Sequence, residues 1–248
     1  WTEIITFLNA FAKYLNLRII IMSATLPELN WLSLCEETPV TLVKEHDKYY
    51  QNPLLLKRSR IHYDLLAKKC SLELLLEKVL QELKKKKKVL IEFITKKSAE
   101  AFWNLCEDYQ EESVRIITGD DTVADRKRIL DELKNSPDGE GFLLIATQVI
   151  EAGVDIRNVQ AGFKDISILD SDEQFMGRVN RSCNRERIGE VYFFSLDVTG
   201  NVYRNDVRTQ RELTLEEPLM QQCLEQKDFK TYYQKVMEQI RINNESAD

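Results

Sequence analysis

The chain has 248 residues and carries 35 Lys and Arg against 41 Asp and Glu, a net charge of −6 at pH 7. Hydrophobic residues make up 43% of it and charged residues 31%, a composition too apolar for a disordered chain. No uninterrupted apolar run approaches the ~20 residues that span a bilayer. The acidic balance argues against a uniformly basic nucleic-acid binder, although local basic patches remain compatible with it. These features predict a soluble globular protein with length for one large domain.

The first residues form an amphipathic pattern rather than a signal peptide, and the pattern starts without a Met, which favours a fragment or a processed chain. The cysteines are odd in number, widely spaced and without a CxxC pair. Only two histidines accompany them, so we predict reduced thiols, no disulfide, no zinc and a cytosolic setting. The five cysteines are Cys35, Cys70, Cys106, Cys183 and Cys223.

The predicted elements begin with a helix over Thr2–Leu15, where apolar residues recur at spacings of three and four. The apolar, β-branched run at 17–22 predicts a strand buried on both faces of a parallel sheet. Pro27 favours the start of a helix over about residues 28–35. Polar residues and two prolines predict a linker at 39–53, in which the dipeptide His46-Asp47 is read as linker rather than as part of an HD nuclease.

From about residue 58, predicted strands alternate with predicted helices, the pattern of an open α/β sheet with right-handed crossovers. Strands are predicted at 60–66, 89–94, 114–118, 142–146, 166–169 and 191–196, and helices at 72–83, 98–109, 123–133 and 172–181. Two further amphipathic helices are predicted at 213–224 and 229–242. The lysine run at 84–88 predicts a solvated helix end, with contact to a nucleic-acid backbone as the alternative. The middle of the chain is therefore predicted to be one doubly wound α/β domain.

Polar residues that follow the predicted strands are candidates for a site, because ligands of open parallel sheets bind at the carboxyl ends of strands. On the predicted helix at 172–181, Gln174, Arg178 and Arg181 share one face, and two guanidiniums with an amide suit a polyanion such as a triphosphate. Gly177 would let this helix approach another backbone closely. The alternative is a surface helix whose arginines form salt bridges to neighbouring acidic residues.

The loop at 147–155 carries a second candidate constellation. Thr147 stands at a strand end, Gly153 at a turn, and Asp155 two residues later. These residues could hold a backbone phosphate on one side and a ribose or a metal-linked water on the other. The alternative is an ordinary turn in which Gly153 supplies a positive φ and Asp155 caps the next segment. No glycine precedes Gly119, so the chain has no phosphate loop of the GxxxxGK[ST] type.

Together these segments resemble a known family. SAT at 23–25, a strand that ends at Thr95, TQVIEAGVDI at 147–156 and QFMGRVNR at 174–181 stand in the order of motifs III to VI of superfamily 2 helicases. The motif sequences SATLP, TQVIEAGVDI and GRVNR most resemble those of the ATP-dependent helicase of CRISPR interference, the partner of an HD nuclease. The resemblance covers about residues 17–196. It implies a RecA-like doubly wound sheet at 58–198, the end of a preceding RecA-like domain at 1–38, a linker at 39–57 and a helical extension at 199–248.

The resemblance also implies roles for individual residues. Arg178 and Arg181 would be arginine fingers on the γ-phosphate of ATP, and Gln174 would order the attacking water. Ser23 and Thr25 would couple hydrolysis to closure of two motor domains. The resemblance places Glu151, Gly153 and Asp155 at the nucleotide, and Thr95, Gly119, Thr147 and Gln148 at the nucleic acid.

Several parts of the family pattern are absent or altered here. The family's phosphate loop and DExx box precede SAT, so the resemblance implies that a first RecA-like domain outside this chain completes the ATP site and binds Mg²⁺. Asp172-Glu173 imitates a DExx box but follows motif V, so no metal site is predicted in this chain. Phe175 stands where many relatives carry Arg or another polar residue, which removes the phosphate contact expected at that position.

The resemblance implies an enzyme, an ATP-dependent helicase, whose second motor domain alone is inactive. Single-stranded DNA, an HD nuclease and a CRISPR surveillance complex are the implied partners, in the cytoplasm and away from membranes. Two alternatives stay open: an RNA helicase or double-stranded DNA translocase of the same superfamily, and a non-hydrolysing module that only binds nucleic acid or a protein.

Overall fold

A computed structural model describes residues 2–23, 25–27, 40–67, 70–85, 87–107, 113–137, 139–150, 156, 158–184, 186–197 and 199–245. Its centre is one six-stranded sheet in the order β1-β6-β5-β2-β4-β3, in which every pair of neighbours is parallel. The three central strands are buried along their whole length. The strands are β1 Ser59–His62, β2 Lys88–Phe93, β3 Val114–Ile117, β4 Phe142–Thr147, β5 Ala161–Asp165 and β6 Gly189–Phe194.

Helices cover both faces of this sheet. One hydrophobic cluster joins α4 and α5 to one face, and a second cluster joins α6, α7, α8 and α9 to the other. Side chains of Ser71, Thr95 and Thr122 cap the amino ends of α4, α5 and α6 by accepting a backbone N–H three residues later. The predicted doubly wound parallel α/β fold is confirmed. The helices are α1 Thr2–Leu15, α2 His46–Tyr50, α3 Pro53–Leu56, α4 Leu72–Lys84, α5 Lys96–Leu105, α6 Val123–Asn135, α7 Leu169–Met176, α8 Pro218–Gln226 and α9 Phe229–Glu245.

The predicted strand at 17–22 is wrong for this structure. Residues 17–22 have no regular structure, and Ile20 and Met22 are 65% and 87% exposed. A strand buried on both faces needs a neighbour on each side, and the described strands of the sheet pair only with one another. The linker predicted at 39–53 contains α2, and α3 starts at its end. The helix predicted at 28–35 lies outside the described residues.

The strand predicted at 166–169 is also wrong, since β5 covers Ala161–Asp165 and α7 begins at Leu169. This strand was not predicted from the sequence because residues 161–165 include the charged residues Lys164 and Asp165. Lys164 is fully buried and forms an ion pair with Glu92 of the neighbouring strand β2, so its charge is matched inside the sheet. The apolar run that follows is buried in the turn into α7 rather than in the sheet.

The lysine run at 84–88 begins at a helix end, as predicted, because α4 ends at Lys84. Lys85 and Lys87 form ion pairs with the buried Glu82. Lys88 is only 2% exposed and donates hydrogen bonds to the carbonyl oxygens of Leu133 and Ser136 at 3.2 and 2.7 Å. Lys87 and Lys88 therefore stabilise the fold, whereas Lys84 and Lys85 are exposed to solvent.

Candidate functional site

The segment that carries Arg178 and Arg181 is a turn and not a helix. Helix α7 ends at Met176, and Asn180, with φ of 46°, donates its backbone N–H to the Val159 oxygen at 2.9 Å. A regular helix would have directed that N–H to Met176. The prediction of a helix through Arg181, with both arginines on one helical face, is therefore wrong. We call residues 177–181 the arginine turn.

The Asn180 side chain ties the arginine turn to three other backbone segments. Its Nδ2 donates to the carbonyl oxygens of Arg58 at 2.9 Å, Arg187 at 2.8 Å and Asn184 at 3.3 Å. Its Oδ1 accepts the backbone N–H of Asn184 at 3.0 Å. Asn is among the few residues that adopt a left-handed conformation readily, which suits it to this position. The turn is therefore held from inside, between the two arginines.

Close packing holds the arginine turn against the sheet. A Cβ added at Gly162 or at Gly189 would lie 2.6 Å from a methyl group of Val179, which is itself fully buried. These two glycines therefore make room for Val179 on strands β5 and β6. The close backbone approach predicted for Gly177 is found instead at Gly162 and Gly189, while Gly177 forms the carboxyl cap of α7.

The arginine turn lies at the amino-terminal edge of the sheet, beside the starts of β1, β5 and β6. Gln174 and Arg181 are exposed and Arg178 is half-buried. A shallow cavity of about 130 Å³ adjoins the turn and is lined by Arg181, Arg187, Asn158 and Gln160, among others. Guanidinium and amide N–H groups at one edge suit an anionic ligand. Glu151, Gly153 and Asp155, predicted to contact the nucleotide, lie outside the described residues.

The opposite, carboxyl-terminal edge holds a hydrogen-bonded network around Asp197. The hydroxyls of Thr95 and Ser98 each donate to the Asp197 carboxylate at 2.8 Å. The backbone N–H groups of Leu196 and Asp197 donate in turn to Asp165 at 2.9 and 3.3 Å. Burial raises the pKa of Asp165 to about 7, and the nearby Asp197 charge adds to this effect. Thr95 is thus held in place by a carboxylate pair.

The other predicted nucleic-acid residues also lie at this edge. Thr147 ends β4 and is buried, and Gln148 follows it and donates to the Tyr203 hydroxyl oxygen at 2.6 Å. Gly119 follows β3, and its carbonyl oxygen accepts a hydrogen bond from Arg126 at 2.9 Å. The structure therefore places the four residues predicted to contact nucleic acid at one edge of the sheet and the arginine turn at the other edge. A strand of five or six residues, roughly 17–20 Å, separates the two edges.

The predicted coupling residues form a local turn. The Ser23 hydroxyl oxygen accepts the backbone N–H of Thr25 at 3.2 Å, and Thr25 is buried while Ser23 is exposed.

Asp172 and Glu173, which imitate a DExx box, are used structurally. Asp172 accepts the backbone N–H of Ser167 at 3.1 Å, and Glu173 forms a buried ion pair with Lys227. Among the described residues, no three His, Cys, Asp or Glu side chains are grouped as metal ligands. In the same part of the chain Cys70, Cys106, Cys183 and Cys223 are free thiols, and no helix is long and apolar enough to cross a membrane. Cys35 lies outside the described residues.

Residues 71–183 match the family model of the helicase conserved C-terminal domain. This region of the chain is similar to the C-terminal domain of helicases. This matched stretch contains Thr95, Thr147, Arg178 and Arg181, but not Asp197, Ser23 or Thr25. The six-stranded parallel sheet that contains most of this region has the doubly wound fold that the resemblance implied.

Individual proteins are similar over parts of the chain. UvrABC system protein B of Gloeothece citriformis is 27% identical over 149 residues, which cover 57% of this chain and 21% of that protein. Dbp5 of S. cerevisiae bound to RNA and ADP BeF3 is 19% identical with a TM-score of 0.46, covering 83% of this chain and 46% of Dbp5. The helicase Lhr of Mycobacterium smegmatis, bound to ssDNA and AMP-PNP, is 16% identical with a TM-score of 0.45, covering 63% and 22%.

Sequence reasoning missed the residues that hold the candidate site in shape. Asn180 stands between the two arginines, and its tolerance of positive φ was the available signal. Asp165 and Asp197 each directly follow or end a strand, where sheet ligands gather, but β5 itself was misplaced. Gly162 and Gly189 gave no local signal, because their role depends on a side chain that packs across from them.

Proposed function

We propose that this chain supplies the second motor domain of an ATP-dependent superfamily 2 helicase or translocase. The observation that carries the proposal is the arginine turn, which lies in the region similar to helicase C-terminal domains and is held at one edge of the sheet by Asn180. Arg178 and Arg181 would stabilise negative charge on the γ-phosphate during transfer, and Gln174 would orient the attacking water. A first RecA-like domain would supply the phosphate loop and the Mg²⁺ ligands.

We further propose that single-stranded DNA runs across the carboxyl-terminal edge. Thr95, Thr147, Gln148 and Gly119 all lie there, on loops whose hydroxyls, amide and backbone suit phosphate oxygens. Contacts of this kind are largely independent of base sequence and weaken with salt. ATP and the single-stranded DNA would thus bind at opposite edges of one rigid sheet. From the resemblance of their motif alone, we assign Glu151, Gly153 and Asp155 to the nucleotide.

The sequences of the motifs support a helicase of CRISPR interference, with an HD nuclease and a surveillance complex as its cytoplasmic partners. Two alternatives make different predictions. An RNA helicase or a double-stranded DNA translocase would be stimulated by those nucleic acids instead, and a non-hydrolysing module would bind them without turnover.

The test is ATP hydrolysis by this chain mixed with a first motor domain that contains a phosphate loop and a DExx box. We expect no turnover by the chain alone, and turnover in the mixture that single-stranded DNA stimulates more than RNA or duplex DNA does. Arg178→Ala and Arg181→Ala should each lower kcat by about 10³-fold or more. Arg128→Ala, which removes an exposed arginine paired with Glu132 on α6, is the matched control. DNA-stimulated hydrolysis by the chain alone, or full turnover by Arg178→Ala, would overturn the proposal.

A further inference from the structure

Helix α7, which leads directly into the arginine turn, is held on both sides. All of its residues except Gln174 are buried. One side packs on the sheet, where Phe175 lies against Gly162 of β5. The other side packs on the C-terminal segment, defined here as residues 199–245, within one hydrophobic cluster. The C-terminal segment therefore provides one of the two surfaces on which this helix packs.

Two buried acidic residues of α7 fix this helix to the C-terminal segment. At its amino end, Asp170 accepts hydrogen bonds from the Tyr233 hydroxyl at 2.6 Å and from Arg208 at 3.0 Å. Arg208 is itself held by Asp206 through three side-chain bonds. These are charge-assisted bonds in a buried setting, which makes them strong and costly to leave half-made.

Near the middle of α7, Glu173 forms a buried ion pair with Lys227. Lys227 follows α8 and adopts a left-handed conformation, with φ of 59°. Its ammonium nitrogen also lies 4.0 Å from the sulfur of Met176, the last residue of α7. Asp170, Glu173 and Met176 each contact the C-terminal segment, so these contacts extend over about 9 Å of a helix about 12 Å long.

We propose that the C-terminal segment positions the arginine turn, and that Asp170, Tyr233 and Arg208 are positioning residues for ATP turnover. The proposal rests on the function proposed above for Arg178 and Arg181. A short helix held by such contacts moves as a rigid body, so loosening its amino end tilts the turn that follows its carboxyl end. Transition-state contacts are sensitive to small displacements, and a shift of about 1 Å can cost about 10²-fold in rate.

The chain offers a closely matched pair of tyrosines for the test. Tyr233 and Tyr232 are adjacent on α9, both are buried, and both contribute their rings to the same hydrophobic cluster. The Tyr233 hydroxyl binds Asp170, whereas the buried Tyr232 hydroxyl has no hydrogen-bond partner among the described residues. Tyr233→Phe therefore removes a hydrogen bond to α7. Tyr232→Phe also removes a hydroxyl oxygen, but no hydrogen bond to α7 is lost with it.

The first measurement is ATP turnover by each variant in the presence of the first motor domain. We expect Tyr233→Phe to lower kcat about tenfold with KM for ATP within twofold, because the arginines act in the transition state. Tyr232→Phe should match the unsubstituted chain. Circular dichroism at the assay temperature verifies that both variants are folded, so a smaller folded fraction cannot account for the difference.

The second measurement needs no ATP. Amide hydrogen exchange of residues 177–181 should be faster in Tyr233→Phe than in Tyr232→Phe, in the chain by itself. If Arg178→Ala abolishes turnover but Tyr233→Phe matches Tyr232→Phe in kcat and exchange, the positioning role is wrong and the proposed function stands. If exchange differs as expected while Arg178→Ala retains full turnover, the proposed function is wrong, and with it the role in turnover.

Discussion

The side-chain nitrogen of Asn180 lies 2.9 Å from the carbonyl oxygen of Arg58, a residue 122 positions earlier in the chain. This bond joins the arginine turn to the residue before β1, and through it to the amino-terminal edge of the sheet. The same nitrogen also faces the carbonyl oxygens of Asn184 and Arg187. The residue between the two arginines is thus the one that connects them to the rest of the fold.

Replacing Asn180 by Asp should destabilise the chain. A carboxylate oxygen would replace the nitrogen that faces three carbonyl oxygens, so donors are lost and a buried charge is repelled. We expect a loss of about 2–3 kcal/mol in the free energy of unfolding, measured by urea denaturation. Asn205→Asp is the control, since Asn205 also has a positive φ, 61°, but is exposed. Equal stability of the two variants would contradict this account of Asn180.

Substitution of Gly189 by Ala should also be costly, because the new Cβ would lie 2.6 Å from Val179. We expect a loss of about 1–3 kcal/mol in thermal or urea unfolding. Gly200→Ala, where nothing lies within 4 Å of the added atom, should change stability little. The sharper check is a double-mutant cycle: Val179→Ala should cost less in the Gly189→Ala background than alone. Additive effects would mean that the two residues do not compete for the same space.

The pH dependence of stability should contain a contribution from Asp165. Burial raises its pKa from 3.8 to about 7, so the folded state binds this proton more tightly than the unfolded state does. The contribution is therefore fully present below about pH 4 and is lost as pH rises to about 7, by up to about 4 kcal/mol. Asp165→Asn should remove this slope from urea unfolding measured between pH 4.5 and 8. Asp131→Asn, at an exposed position on α6, should keep it, and identical slopes in both variants would rule the assignment out.

Asp197 places a negative charge beside Thr95 and Ser98 at the edge where we propose that DNA binds. Asp197→Asn keeps an acceptor for a hydroxyl but removes the charge that repels phosphates. We expect single-stranded DNA to bind about two- to fivefold more tightly at low salt, with a smaller gain at high salt. Fluorescence anisotropy of a labelled oligonucleotide measures this, with Asp131→Asn as the control. Unchanged or weaker binding would place the strand away from this edge.

Elements with a strong local pattern were predicted well. Helix α4 combines an apolar face with a capping Ser71, and strands β2 and β4 are apolar runs buried on both faces. Each of these signals lies within a few residues of the element that it predicts. The candidate residues Gln174, Arg178 and Arg181 could be chosen for the same reason, because their chemistry is visible in the residue types themselves.

The failures share a different cause. Strand β5 was missed because Lys164 is tolerable in the sheet only when Glu92, 72 residues away, pairs with it. The helix predicted through Arg181 ends early because the Val159 oxygen takes the N–H of Asn180. The apolar run at 17–22 predicted a strand, but β-structure requires a neighbour that no local pattern can guarantee.

The sequence by itself determined the class of fold, the order of most elements and the candidate residues that we propose bind phosphate. Only the tertiary structure decided that the two arginines stand on a braced turn, that Gly162 and Gly189 make room for Val179, and that the predicted contacts divide between opposite edges of the sheet. The physical reason is the separation along the chain between the residues that interact. Helix and strand periodicity arise from neighbouring residues, whereas the bonds from Asn180 to Arg58 and from Asp170 to Tyr233 join distant parts of the chain, and exist only once the sheet has brought them together.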